Sequence, residues 1–361
     1  MIYKFDDIAY NITTKRVPTS DDKSTYIGLE HLDSGELYVK RYGSDVDLKG
    51  DKLVMTKGDI LFGKRNTYLK RVAIAPFDGL FSAHGMIFHP KEDVIDKRYF
   101  PFFINSDAFM DEAIRISVGS LSPTVNWKDL KDLEFDIPPI EEQKQLADKL
   151  WAAYDLKSKY ANLIKSIDEM VKSQFIEMFG SMINPKYDVL PMVSVCERSG
   201  QYGSNTSACD HITNTPRYIR ITDINDDGSL NDDIKSAEAV DDKYLLKDGD
   251  LVFARTGATV GKTYLHHSGK AIYAGYLIKY HPIESRINPE YLFAYTHSSS
   301  YYAWVELTKK VGAQPNISAT QYDELPVIVP PIDKQKEFVM IAQQADKSKS
   351  VCRQAIKRLA S

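Results

Sequence analysis

The sequence predicts an α+β protein built twice over: two pseudo-symmetric globular modules, separated by two long helices that form an antiparallel coiled coil. Three observations carry that reading. One phrase occurs twice, as "FDIPPIEEQKQLADKL" at 135–150 and "VIVPPIDKQKEFVMIA" at 327–342. A single spacing recurs along the chain. After each phrase comes an apolar repeat of alternating threes and fours, longer than an ordinary core helix needs.

The spacing is 192 residues. It separates Pro138 from Pro330, Tyr26 of "YIGLEHLDSG" from Tyr218 of "YIRITDINDDG", and Pro90 of "FHP" from Pro282 of "YHP". It also separates Tyr99 of "RYFPFFINS" from Tyr291 of "EYLFAYTHS". "KGDILF" at 57–62 and "DGDLVF" at 248–253 lie 191 apart, a slip of one residue. Five stretches in one register mark a tandem repeat, and a repeat fixes the architecture before local propensity does.

The first module is expected at 1–138 and the second at 183–330. In "GDILF" and "GDLVF" a Gly-Asp turn leads into a buried strand. "LFSAHGMIF" and "AIYAGYLIKY" are short β-prone runs bounded by turn residues. "FPFFINSDAFMDEAI" and "EYLFAYTHSSSYYAWVEL" each read as a helix.

The central long helix is expected at 139–182. Pro139 suits its first position, where a missing N–H costs nothing. Glu141 and Glu142 place negative charge at the positive end of the helix dipole. Leu146, Leu150, Ala153, Lys157, Tyr160, Ile164, Ile167, Val171, Gln174 and Met178 form a seam with two polar interruptions. Gly180 ends the helix, and "SMINPKYDVLP" reads as linker. The C-terminal helix, at 331–361, begins with Pro331 and Asp333. It repeats the seam as Phe338, Ile341, Ala345, Ser348, Cys352, Ala355 and Leu359, and is the shorter of the two.

Composition narrows the class. The 361 residues allow two or three domains. No apolar run approaches the roughly 20 residues that cross a bilayer. The start, "MIYKFDDIAY", has acids where a signal peptide is basic and then apolar, so the expected location is the cytoplasm. Cys196, Cys209 and Cys352 form no CxxC pair and read as reduced thiols. A net charge of −4 argues mildly against nucleic-acid binding, although local basic surface decides that question.

Two similar but diverged modules on a rigid spacer suit a partner with two similar but unequal sites. Duplex DNA is such a partner, with half-sites set by a helical repeat of roughly 34–36 Å. The chain resembles the specificity subunits of type I restriction–modification enzymes. The resemblance rests on "GDILFGKRNTYLKRVAI", "VGSLSPTVNWKDLKDLEFDIPPIEEQ" and "MFGSMINPKY" in the first half. In the second half it rests on "DGDLVFARTGATVGKTYL", "VGAQPNISATQYDELPVIVPPIDKQ" and the terminal helix. It implies two target-recognition domains reading a split, asymmetric DNA site, with the helices as ruler and docking surface. It implies two methyltransferase subunits that use S-adenosylmethionine to methylate adenine N6, and motor-nuclease subunits that use ATP and Mg. The chain itself would bind no cofactor and do no chemistry. Two rivals stand beside this: the same scaffold in a motor-less system, and a coiled-coil scaffold for protein partners.

The candidate DNA-contacting residues lie in loops at equivalent repeat positions. In "GKRNTYLKR" at 63–71 these are Lys64, Arg65, Asn66, Tyr68, Lys70 and Arg71. Asn66 could grip an adenine edge by two hydrogen bonds, and Tyr68 could pack on sugar or base. In "ARTGATVGKT", Arg255 forks onto guanine or phosphate, Thr256 donates, and Lys262 adds charge. "GATVGKT" has three residues between its glycines where a P-loop needs four, so it reads as a turn after a strand. Ser120 and Ser122 in "RISVGSLSPTVNW", and Gln314 and Asn316 in "KKVGAQPNIS", offer hydrogen-bonding groups on short stems. Ser318 is expected to cap a helix. "NPKY" at 184–187 departs from the Asn-Pro-Pro-Tyr tetrad of amino-methyltransferases and reads as linker. The histidines show no metal-ligand spacing.

Overall fold

The computed structural model describes residues 1–309 and 315–360. The chain divides into two compact units, residues 1–156 and 157–361. The division falls inside the central helix.

The units repeat one topology. In the first, strands Ala9–Ile12, Met86–Pro90, Ile60–Phe62 and Val72–Ile74 form, in that order, an antiparallel sheet. Its counterpart orders Gln201–Tyr202, Leu277–Tyr280, Leu251–Ala254 and Thr263–Leu265 in the same way. Each unit adds one parallel pair, Tyr26–Ile27 with Gly79–Phe81 and Arg217–Ile219 with Ala271–Tyr273. Tyr26 sits opposite Leu80 and Tyr218 opposite Ile272, both displaced by 192. A two-stranded ribbon closes each unit: Ile2–Lys4 with Glu134–Asp136, and Val189–Pro191 with Pro326–Ile328.

Local chemistry repeats with the topology. Asp59 and Asp250 are buried at the Gly-Asp turns. Each carboxylate accepts from a backbone N–H three residues upstream, Thr56 or Lys247, at 2.7 Å. Each also meets a histidine Nδ1, of His89 or His281, at 2.9 Å. A buried carboxylate needs such partners. Aromatic rings fill both cores: Phe5, Phe62, Phe88 and Phe109 in the first, and Phe253, Tyr280, Tyr301 and Tyr322 in the second.

Two segments expected as single helices are each broken. "FPFFINSDAFMDEAI" folds as Phe100–Asn105 and Asp107–Arg115, because the Ser106 hydroxyl caps the N–H of Phe109. "EYLFAYTHSSSYYAWVEL" folds as Pro289–Tyr295 and Ser299–Thr308, where Ser298 does the same for Tyr301. A serine that caps the next helix competes with continuing the last one.

The central helix runs Ile140–Phe179 and the C-terminal helix Ile332–Ala360, 40 and 29 residues. Gly180, at φ +82°, terminates the first, and its N–H bonds to the carbonyl of Ile176. At each helix start stands a fully buried glutamine. Gln143 donates to the carbonyls of Pro138 and Val94 and accepts from Asp96 N–H. Gln335, 192 residues on, donates to Pro330 and Arg286 and accepts from Asn288 N–H. The repeated phrase therefore contains a three-bond clamp between helix and module.

Within the second unit the two helices touch at Phe175–Phe338, with ring centroids 5.3 Å apart, and at Asp168–Lys349, 2.7 Å. Moving back along one helix matches moving forward along the other, so they run antiparallel. The C-terminal seam is buried every seventh residue, at Phe338, Ala345 and Cys352. Ile341, Ser348, Ala355 and Leu359 are half-buried. The central seam differs from expectation. Its ten residues, Leu146 to Met178, are half-buried, while full burial falls on Ala147, Tyr154, Phe175 and Phe179. The globular modules claim that neighbouring face. The Tyr154 hydroxyl accepts from Leu37 N–H within the first unit, and Phe175 and Phe179 pack on Tyr291 in the second.

Candidate nucleic-acid interface

In each unit the loop after the central sheet strand is tied to the segment before the last helix by the same backbone bonds. In the first unit Val125 N–H donates to Lys64 O, and Asn66 N–H to Pro123 O. Arg65 pairs across from Thr124. In the second, Ile317 N–H donates to Arg255 O, Gly257 N–H to Pro315 O, and Thr256 faces Asn316. The equivalent positions are Lys64 and Arg255, Arg65 and Thr256, Asn66 and Gly257, Thr124 and Asn316. One frame carries two sets of side chains. The loop residues singled out from sequence thus meet the Ser/Asn-rich segments through space, which sequence did not specify. A short helix, Trp127–Leu130 or Ala319–Asp323, separates those segments from the last strand. Ser318 caps the second of these through Gln321 N–H.

The frame sorts the candidates. Arg65 is exposed and donates to the Ser122 hydroxyl, 3.2 Å. Tyr68 and Ser120 are exposed, and Arg71 and Asn316 half-buried. Asn66 sits left-handed, φ +54°, with its side-chain Oδ1 buried and unpaired. In this conformation it cannot offer both amide atoms to an adenine, contrary to the sequence reading. Thr256 is buried, which removes it as an outward donor. Lys70 is engaged by Asp107 at 2.8 Å; that hydrogen bond, and then its charge, raise the lysine's pKa. Lys262 is engaged by Asp226, 2.8 Å. These two lysines would have to exchange a carboxylate for a phosphate. Gln314 lies outside the described residues.

Three residues of the site were missed. Arg255 lies over the Tyr202 ring, 4.8 Å from guanidinium carbon to centroid, and its Nε is buried without a partner. Tyr202 is fixed in turn because its hydroxyl accepts from Ala319 N–H. Tyr276, 59% exposed, accepts the Arg255 N–H on its carbonyl. Lys15 joins Lys64 at one cavity of the first unit. A tyrosine beside glycine in "GQYGS" and "AGYL" was the available signal, but only strand pairing brings these stretches together. "GATVGKT" forms a one-turn 3₁₀ segment, Gly257–Thr259, and then a strand, so no helix N-terminus stands behind it for phosphate. Among the described residues no group of three His, Cys, Asp or Glu could hold a metal, and no helix is long and apolar enough to cross a membrane.

The class so defined is a tandem-repeat scaffold that shows two unlike loops on one repeated frame. The chain belongs to the type I restriction modification DNA specificity domain family, whose model matches residues 1–166 and 195–359. Over 298 residues it is 24% identical to the type I restriction enzyme EcoKI specificity subunit of Escherichia coli K12, covering 74% of this chain and 62% of that one. Over 182 residues it is 23% identical to the Escherichia coli EcoDI specificity subunit, covering 49% and 40%. The matches thus span less than two thirds of either relative. The fold is similar over its full length to a type I restriction–modification S subunit from M. genitalium, with TM-score 0.57, 12% identity and 92% of that chain covered. A chain from a study of type I complex assembly gives TM-score 0.58 at 19% identity, covering 100% of this chain and 94% of that one.

Proposed function

We propose that this chain is the non-catalytic sequence-specificity subunit of a type I restriction–modification enzyme. Residues 1–138 and 183–330 act as two target-recognition domains, each reading one half of an asymmetric bipartite DNA site. The helices at 139–182 and 331–361 act as a coiled-coil spacer and as the seat for two adenine-N6 methyltransferase subunits, with motor-nuclease subunits joining them. The partners supply S-adenosylmethionine, ATP and Mg chemistry. The observation that carries this is the repeated frame. Identical backbone bonds at Lys64–Val125 and Arg255–Ile317 hold different side chains, which is what two related readers of different sequences require.

The test is exchange of residues 1–138 for the corresponding module of another family member, followed by methylation mapping of host DNA. One half-site should change and the other persist. An unchanged site, or loss of both halves in a folded complex, refutes the assignment.

A further inference from the structure

The first unit contains a cavity of about 270 Å³. It lies beside the strand Ala9–Ile12, the turn at Ala83 and Gly85, and the residues Asn126 and Trp127. Its polar lining is Asn11, Thr13, Lys15, Lys64 and Asn126, with no carboxylate. Among the described residues none of these five side chains has a hydrogen bond or ion pair with protein. Asn126 is the informative case. It stands at the N-cap of Trp127–Leu130 but makes no cap bond, whereas Ser318, its equivalent 192 residues on, caps Ala319–Asp323. Asparagine is among the best N-cap residues, so its amide has been left free for something else.

The charge is also uncompensated. Lys64 is half-buried, and burial, then the Lys15 charge, lowers its pKa. Two cations at one acid-free cavity repel unless an anion enters. At the register-equivalent position Arg255 likewise keeps a buried Nε without a partner. Both repeats therefore place a cation at one point of the frame, Arg255 stacked on Tyr202 and Lys64 without a partner among the described residues.

We propose that the Lys15–Lys64 cavity is an anion site for a single phosphate group. Lys15 and Lys64 supply charge, and Asn11, Thr13 and Asn126 supply hydrogen bonds. That the phosphate is a DNA phosphodiester rests on the function proposed above; free phosphate has the same chemistry. Such a contact fixes register on the duplex without reading sequence.

The experiment uses the full chain with Lys64→Gln, Lys15→Gln and Lys64→Arg. Affinity is measured against salt, on a duplex bearing the methylation-mapped site and on a scrambled one. Each Gln variant should weaken binding by the same factor on both duplexes. The slope of log K against log salt should become shallower by about 0.9. Lys64→Arg should keep the slope, which separates lost charge from lost folding. An unchanged slope in the Gln variants, or a loss confined to the cognate duplex, overturns the proposal. If the wild-type chain binds neither duplex, the functional reading fails and inorganic phosphate decides the cavity. A rise in melting temperature over chloride at equal ionic strength, absent in Lys64→Gln, assigns it to free phosphate; no rise overturns it.

Discussion

Replacing Gln335 by Leu should unlock the C-terminal helix from the second unit. The side chain is fully buried. It donates to Pro330 O at 2.7 Å and Arg286 O at 3.1 Å, and accepts from Asn288 N–H at 2.8 Å. Leucine fills similar space and makes none of these bonds. Three backbone groups, one buried and two part-buried, lose their partner, at about 1–3 kcal/mol each. The gain from a more apolar side chain returns about 1–2 kcal/mol. The net loss is about 1–8 kcal/mol, against a domain stability of about 5–15 kcal/mol. Two units unfold in one chain, so a single midpoint is not a defined quantity. Peptide-resolved hydrogen exchange in rising urea is the suitable assay. Protection should fall at 283–292 and 328–340 and hold in the first unit. Gln143→Leu should give the reverse pattern. Gln335→Glu sets a carboxylate against two carbonyl oxygens, which raises its folded pKa. Its penalty should therefore be greatest above that pKa and ease as pH falls through it. A loss under about 1 kcal/mol in both Leu variants would refute the clamp.

Four residues inserted after Ile164, matched near Arg353 on the facing helix, add about 6 Å of helix. The unread spacer should then lengthen by about two base pairs in methylation mapping; a fixed spacer rules out the ruler. For the cysteines, burial, then the Asp323 charge, pushes the Cys196 thiol up to about 12. Alkylation of the folded chain at pH 8 should label half-buried Cys209 and spare Cys196 until urea is added. Early labelling of Cys196, read by mass spectrometry, would contradict its burial.

The tandem repeat, the two long helices and the Gly-Asp turns were legible because each is periodic or local. Helix continuity across Ser106 and Ser298 was not, since apolar residues on both sides outweighed one capping hydroxyl. The glutamines were visible as letters 192 apart, but their role needs carbonyls nearly 50 residues distant. The same limit applies to the site. Lys15, Tyr202 and Tyr276 reach the loop frame only through strand pairing, and the burial of Thr256 and of the Asn66 amide oxygen depends on packing that no spacing encodes.

The frame itself explains where the two modules are free to diverge. Asn66 and Gly257 both adopt positive φ, +54° and +73°. Glycine takes that conformation freely and asparagine at a smaller cost than most residues, so the turn constrains which residues can stand here. Lys64 and Arg255 are both basic residue types, which suits the phosphate contact proposed above. The flanking pairs, Arg65 with Thr256 and Thr124 with Asn316, have ordinary backbone and differ in charge or hydrogen-bonding capacity. Under the proposed function, sequence reading therefore has few positions to change without cost to the fold. An exchange restricted to Arg65, Ser122 and Thr124 should alter the first half-site before any exchange at Asn66 does.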